Sequence, residues 1–559
     1  MLERFLERTE FKSYQDFKEN YKLKIPENFN FGFDVVDAWG EEEPEKMALV
    51  WCNDSGEEKR LKFSDISRES GKIANMLASK GIGKGDKVLL ILKRRYEYWQ
   101  TATALHKIGA VLIPGSVQLT SKDIAYRISA ADIKMIIAVN EEYTIEQIEK
   151  AVSESPSKVA KGLIGSDRPG WFNFNEEIKS HSSLFERRTG VQEVKATDLM
   201  LMYFTSGTTG MPKMAVHDQT YPLGHITTAK YWQRVQNNGL HLTVSDSGWA
   251  KFGWGCIYGQ WIAGTAIMGY DMDKFIPDKL LKVVEKYKVT TFCAPPTMFR
   301  YFIKEDLTKY DLSSVKHAGI AGEPLNPEVF NQFLKATGIK LHEGFGQSES
   351  SVFLANYEWF DPLPGSTGKP SPLYDIDLLD EDSNSCPVGE EGEIVVKGVD
   401  KPFPTGLFKG YFENGEVSVK CFENGIYRTG DMAWRDINGH YWFVGRTDDV
   451  IKCSGYRIGP FEVESAVLEH PAVLECAITA FPDEIRGQVV KATIVLANGY
   501  EPSDEIAKEI QEHVKKTTAP YKYPRKVEFV KELPKTLGGK IKRAQIKREN
   551  EETAKRTGH

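Results

Sequence analysis

The sequence predicts an α/β protein. A large N-terminal domain of parallel α/β sheets carries a β-rich subdomain, and a small α+β C-terminal domain follows. Three observations predict this. Strand-like apolar runs alternate with helical periodicity through residues 63–345, the pattern of parallel strands covered by helices. Composition turns rich in Pro, Gly and Ser over residues 361–372, and short alternating strands take over beyond it. With 559 residues the chain exceeds what one hydrophobic core can organise, and residues past 448 carry enough helix and strand pattern to close their own. The expected boundaries are 1–447, with α/β subdomains to about 365 and the β-rich part over 366–447, then 448–559.

Residues 1–30 read as a polar, helical packing arm. Ile66, Ile73 and Leu77 recur with helical spacing over 63–80. A buried strand at 87–92, a helix at 96–108 and a strand at 110–113 form one strand–helix–strand unit, and 121–139 forms another. A strand at 199–204 delivers the loop Thr205-Ser206-Gly207-Thr208-Thr209-Gly210-Met211-Pro212-Lys213, and a further strand follows it. Then come a helix near 221–232, strand 240–244, the segment Asp246–Trp254, helix 279–287 and strand 289–294. Strand 317–321 ends in Gly322-Glu323-Pro324. Strand 342–344 ends in Phe345-Gly346-Gln347-Ser348-Glu349. In open α/β sheets ligands bind beyond the carboxyl ends of strands, where these residues converge. Strand 392–397 alternates, and 433–435 pairs with 441–444 across Asn438-Gly439, a strong hairpin signal. The C-terminal unit reads as helix 461–468, strands 474–480 and 489–496, helix 504–516 and strand 526–530. The charged end from about 549 is expected to fray.

Composition excludes several classes. The chain is 41% hydrophobic and 27% charged, an ordinary globular balance. Its net charge of −7 includes no long basic stripe, which argues against nucleic acid as a partner. Seven scattered cysteines without a CxxC pair predict reduced thiols, no structural zinc and a cytoplasmic setting. The N-terminus carries early acids and no apolar h-region, so no signal or transit peptide is expected. No apolar run is long enough for a membrane span.

The Thr205–Lys213 loop offers hydroxyls, turned backbone and one ammonium, a set suited to a polyphosphate. It is not a P-loop: Pro212 separates Gly210 from Lys213, and Met214 stands where Ser or Thr is needed. Taken alone it is a flexible surface turn. Asp431, after Gly430, could accept from a vicinal diol or merely sit in a turn. Arg446, Asp448 and Arg457 lie in a charged junction that reads as solvated surface or hinge. Lys540, after Gly538-Gly539, reads as part of a basic tail or as a lysine able to swing into a distant site.

In order and wording, these segments together resemble the adenylate-forming superfamily of acyl- and aryl-CoA synthetases, nonribosomal adenylation domains and luciferases. The resemblance spans essentially the whole chain. Asp246–Trp254, Gly346–Glu349 and Ala519–Arg525 look most like the medium-chain acyl-CoA synthetases. It implies ATP, Mg²⁺ and coenzyme A acting on a small-molecule carboxylic acid, with a homodimer admitted but not required. Carried over by position, Thr205, Ser206, Gly207, Thr208, Thr209, Gly210 and Lys213 would clamp the β,γ-phosphates. Gly322, Glu323 and Pro324, with Glu343, Gly344, Phe345, Gly346, Gln347 and Ser348, would frame adenine and α-phosphate. Glu349 would bind the metal, and Asp431 with Arg446 the ribose. Asp448 would be the hinge, Arg457 a phosphate-directed arginine, and Lys540 the first-step catalytic lysine. Ser454 and Gly455 would border the coenzyme A tunnel. Ser348 replaces the Thr of many members and keeps the hydroxyl.

The same resemblance places Trp249, Lys251, Trp254, Cys293, Ala321 and Gly346 around the acyl group. Acetate-specific relatives carry Trp at the Gly346 position, so glycine there implies room for a short, medium or branched chain larger than acetate. Lys251 reads equally as a pocket cation or a solvent-facing, salt-bridged one. Rival readings are an aryl-CoA ligase, a stand-alone adenylation enzyme loading another thiol, a luciferase-like oxygenase and a non-catalytic adenylate-binding regulator. The joint presence of Glu349, Arg446, Asp448 and Lys540 argues against the last.

Overall fold

A computed structural model describes residues 1–205, 211–400, 402–453, 456–483, 486–535 and 540–557; the side chains of Arg457 and Thr557 also lie outside the description. Its α/β class follows from two large sheets. In the first, the parallel strands Val111–Pro114, Lys87–Ile91, Ile133–Ala138 and Ala160–Leu163 lie side by side. Strand Leu199–Thr205 joins their edge in parallel and turns back as Lys213–Asp218, antiparallel, with Thr205 paired to Lys213. The described ends of the phosphate-like segment, Thr205 and Lys213, are thus paired beside the parallel run, and residues 206–210 lie outside the described residues.

The second sheet is parallel through Ala266–Asp271, Leu240–Thr243, Thr291–Ala294, His317–Ile320 and Leu341–Phe345. It does not stop there. Leu354–Ala355 and Ser366–Pro370 continue it antiparallel into Tyr441–Arg446, Ile426–Arg435, Glu391–Lys397 and Asp375–Leu379. The β-rich segment is therefore hydrogen-bonded onto the parallel sheet rather than packed beside it. The predicted hairpin across Asn438-Gly439 is present, with Ala433 opposite Phe443 and Arg435 opposite Tyr441.

Helices Phe63–Ser79, Glu97–Ile108 and Tyr221–Ile226 share one core with apolar residues of both sheets, including Leu90 and Ile137 from one and Trp51 and Ile267 from the other. Helix Glu97–Ile108 is buried along its whole length, as a helix between two sheets must be. Trp51, Trp99, Trp232 and Trp261 are fully buried, and each large apolar side chain so removed from water contributes roughly 1.5–3 kcal/mol. Outer helices Ser121–Ala131 and Glu142–Ser153 cover the first sheet, while Pro277–Tyr287 and Pro327–Thr337 cover the second.

Two expectations are corrected. The arm at 1–30 holds only the short helices Leu2–Phe5 and Tyr14–Asn20, and it is anchored by apolar rings. Phe5, Phe11 and Phe17 are buried, and Phe17 packs against Tyr231, Tyr357 and Trp359. The charged end does not fray either: helix Arg543–Thr557 packs on the C-terminal sheet. Asn550 is buried there, accepting from Lys491 Nζ at 2.6 Å and donating to Thr479 Oγ1 and Ala480 O at 3.0 Å. A composition dominated by charge hides one polar residue that satisfies three buried groups.

Past Arg446 the chain forms its own sheet from Ile451–Cys453, Tyr456–Ile458, Val473–Asp483, Gly487–Leu496 and Lys526–Phe529. Helices Pro460–Leu468 and Asp504–Thr517 complete an independent core through Val463, Val467, Ile510 and Val514.

Candidate active site

The carboxyl end of strand Leu341–Phe345 delivers Gly346, Gln347, Ser348 and Glu349 into a web of buried polar groups. Gln347 Nε2 donates to Asp431 Oδ2 at 2.5 Å and to Thr429 O at 2.8 Å, while its Oε1 accepts from Tyr427 at 2.8 Å. Asp431 and Arg446 face each other across the hairpin register, Nη1 to Oδ1 3.4 Å, and Arg446 Nη1 also donates to Thr429 O at 3.1 Å. Gly430, with φ +72°, is the point where a side chain could not fit: a Cβ there would lie 2.7 Å from Arg446 Nη2. Burial pushes the Asp431 carboxyl up to about 6, against the pull of Arg446.

Glu349 is buried, and its Oε1 accepts from Tyr411 at 2.8 Å. Burial raises its pKa, while Arg446 and Lys213 act in the opposite direction. Lys213 itself sits over the Tyr411 ring at 4.9 Å. Ser348 is fixed through its carbonyl, which accepts from the buried His217 Nε2 at 2.8 Å. Glu343, upstream on the strand, is sealed in apolar surroundings that push it up to about 8, with Leu325 N 3.3 Å from its Oε2. Glu323, beyond strand His317–Ile320, accepts from Thr297 Oγ1 at 2.9 Å and lies 3.6 Å from Arg300.

Gly344 and Gly346 lie two apart on the strand end and so share a face. Each is covered by an indole: a Cβ at 344 would meet Trp232 at 2.5 Å, and one at 346 would meet Trp254 at 2.3 Å. Glycine at 346 therefore makes room for Trp254, and the space expected to admit the acyl chain directly is taken by that ring. Lys251, from the helix Ala250–Gly255 that also carries Trp254, points inward and donates to Ala321 O at 2.8 Å. Burial lowers its pKa, and the buried Cys293 thiol lies close enough to oppose that. Trp249 caps the start of this helix in an extended conformation.

Arg446 Nε lies 3.7 Å from Asp448 Oδ1, in an exposed turn where Asp449 N and Val450 N both return to Arg446 O. Lys540, from the C-terminal unit, is near enough for its charge to bear on both Asp431 and Lys251. The structure thus brings Gln347, Glu349, Asp431, Arg446, Lys251, Lys213 and Lys540 to one cleft. Ser206, Gly207, Thr208, Thr209, Gly210, Ser454, Gly455 and the Arg457 side chain lie outside the described residues.

Sequence reading missed Tyr411, Tyr427, His217 and Trp232. Tyr427 had a signal, since it opens the Tyr427–Asp431 segment. Tyr411 had none, because its strand, Tyr411–Glu413, is short and pairs to the distant Lys213–Asp218.

Comparison with known proteins shows the family. The family model for AMP-binding enzymes matches residues 36–412, and that for the AMP-binding enzyme C-terminal domain matches 462–540. The acyl-coenzyme A synthetase ACSM3, mitochondrial, of Rattus norvegicus is 42% identical over 550 residues, covering 96% of this chain and 93% of the relative. ACSM4, mitochondrial, of the same organism is 43% identical over 531 residues, covering 93% and 90%. Among solved structures, the anthranilate CoA ligase AuaEII in complex with anthranoyl-AMP superposes with a TM-score of 0.86 at 26% identity, covering 95% of this chain and 99% of that one.

Proposed function

The chain belongs to the AMP-binding enzyme family, and from that premise we propose that it is an ATP-dependent, AMP-forming acyl-CoA synthetase. In the first step a carboxylate oxygen of the acid attacks the α-phosphorus of ATP, the bond to the β-phosphate breaks, and pyrophosphate leaves. In the second, the thiol of coenzyme A attacks the acyl carbon, its proton is lost, and AMP leaves. The observation that carries the reading is the Gln347–Asp431–Arg446 web beside the buried Glu349: a pre-set carboxylate for a diol next to one for phosphate-bound cation.

Asp431 would accept from the ribose hydroxyls, with Gln347 and Arg446 holding its two oxygens in place. Glu349 suits the magnesium that accompanies ATP. It is a hard oxygen donor, buried and anchored by Tyr411, and among the described residues no cluster of three or more His, Cys, Asp or Glu would hold a metal without phosphate. Lys540 would offset charge growing on the α-phosphate, since this chemistry depends on positioning and electrostatics. Thr205–Lys213 would close on the β,γ-phosphates and release pyrophosphate. Asp448 would be the hinge that withdraws Lys540, so that residues 448–559 turn as a unit against 1–447 and bring Ser454 and Gly455 to the thiol.

The acid is proposed to be short, medium or branched and larger than acetate, with Trp254 over Gly346 setting the depth. An aryl acid is the second reading, favoured by the similarity to the anthranilate ligase. The free cysteines fit a reducing compartment, here proposed as the cytoplasm, and the mitochondrial relatives make cell fractionation the deciding measurement. No helix among the described residues is long and apolar enough to cross a membrane. The test is pyrophosphate release across a panel of carboxylic acids with and without coenzyme A. Acid-dependent release without thiol, and thioester only with it, is expected; release that ignores the acid would sink the reading.

A further inference from the structure

We propose that Arg543 and Lys535 are positioning residues for Lys540: two ion pairs, one on each chain segment flanking it, fix its base against the C-terminal sheet. The inference rests on the reading of Lys540 as the first-step cation.

The segments before and after residues 536–539 meet as an antiparallel bridge, Lys535 with Ile541, and Lys542 N returns to Pro534 O at 2.8 Å. On the incoming segment Lys535 Nζ grips both carboxylate oxygens of Glu475, at 2.7 and 2.8 Å. On the outgoing one Arg543 grips both oxygens of Glu464 through Nη2 at 2.7 Å, with Nε 3.2 Å from Oε1. Glu464 Oε1 is itself fixed by Ile478 N at 2.9 Å. Glu464 belongs to helix Pro460–Leu468 and Glu475 to strand Val473–Asp483, so both anchors sit on rigid elements.

The two pairs are placed alike, with side-chain exposures of 29% and 9% for Arg543 and Glu464 and of 35% and 13% for Lys535 and Glu475, and differ in that only Arg543 offers a planar fork. Beneath them Leu533, Ile541 and Ile546 pack with Ala477 and Val495. That apolar contact sets depth but has no direction. Forked guanidinium–carboxylate bonds supply direction. Lys540 lies three residues from Arg543, which limits its backbone to about 10 Å from that anchor. Catalysis by a point charge depends on where it stands, and the two anchors on either side of Lys540 set the course of its backbone.

A merely structural clamp would affect every activity that needs the C-terminal unit. A positioning clamp affects only the step that uses Lys540. The experiment therefore separates the half-reactions, using the acid that gives most pyrophosphate release and its synthetic acyl-AMP. Acid-dependent ATP–pyrophosphate exchange reads the first step, thioester formation from acyl-AMP and coenzyme A the second, and thermal midpoint the fold. The proteins are wild type, Lys540→Ala, Arg543→Lys, Lys535→Glu and the swap Lys535→Glu/Glu475→Lys. Arg543→Lys keeps the charge but loses the fork, and should lower exchange about ten- to a hundredfold while thioester formation and midpoint hold. Lys535→Glu should lower exchange less, and the swap should restore it. Loss of exchange in Lys540→Ala with none in Arg543→Lys and Lys535→Glu, or equal loss of both steps in those two variants, overturns the clamp. Full exchange in Lys540→Ala overturns the reading of Lys540 and the inference with it.

Discussion

The floor of the cleft and the chain segment that carries Lys540 are built from similar residue types but held differently. On the floor, Gln347 and Glu349 lie just past strand Leu341–Phe345, Asp431 and Arg446 face each other on strands of the same sheet, and Tyr411 reaches Glu349 from the other large sheet. Their cost is desolvation, visible in the raised pKa of Asp431 and Glu349, and their reward is fixed direction. Lys540 is exposed, and the residues on either side of it, Lys535 and Arg543, pair with Glu475 on a strand and Glu464 on a helix of the C-terminal unit. On the proposed two-step reaction, a group present for one step and absent for the next cannot be welded into the floor, and the difference in construction supports that proposal.

Four measurements would break or sharpen that contrast. The largest effect is expected from Lys540→Ala: acyl-AMP formation should fall a hundredfold or more, in the range of losing one preorganised charge donor, roughly 3–4 kcal/mol. Thioester formation from supplied acyl-AMP should persist, and equal loss of both would erase the distinction between floor and arm. Asp448→Pro should do the reverse, leaving pyrophosphate exchange and reducing thioester formation, because a fixed φ opposes rotation there. Intact thioesterification in that variant would move the hinge elsewhere.

The third concerns the floor. Asp431 must be ionised to accept from a diol, and its carboxyl sits up at about 6. As pH falls through that value the KM for ATP should rise roughly tenfold per unit, an inflection absent in Asp431→Asn. Because the folded value lies above the ordinary one, protonation of this group favours the fold at low pH, so the lost affinity should appear without loss of thermal stability from this residue. A pH-independent KM would refute the assignment. The fourth concerns specificity alone: Trp254→Ala should shift the preferred acid to longer chains by about tenfold in relative kcat/KM, the low end of what one methylene contact is worth. An unchanged preference would mean the indole does not end the pocket.

The sequence alone determined the α/β class, the strand ends that carry the candidate residues and the hairpin at Asn438-Gly439, because apolar periodicity, Gly/Pro punctuation and turn chemistry are local properties of the chain. It also supplied Glu349, Asp431, Arg446 and Lys540 as candidates through motif wording. Only the tertiary structure decided what those residues touch. Tyr411 reaches Glu349 across 62 positions and Tyr427 reaches Gln347 across 80, distances over which no periodicity speaks. Charge composition could not reveal that Asn550 would dock the last helix, nor that Arg543 would find Glu464. The glycine at 346 shows the same limit. A missing side chain predicts space, but whether that space stays open or is filled by Trp254 depends on a helix ninety residues upstream, and packing at native density leaves few such gaps empty.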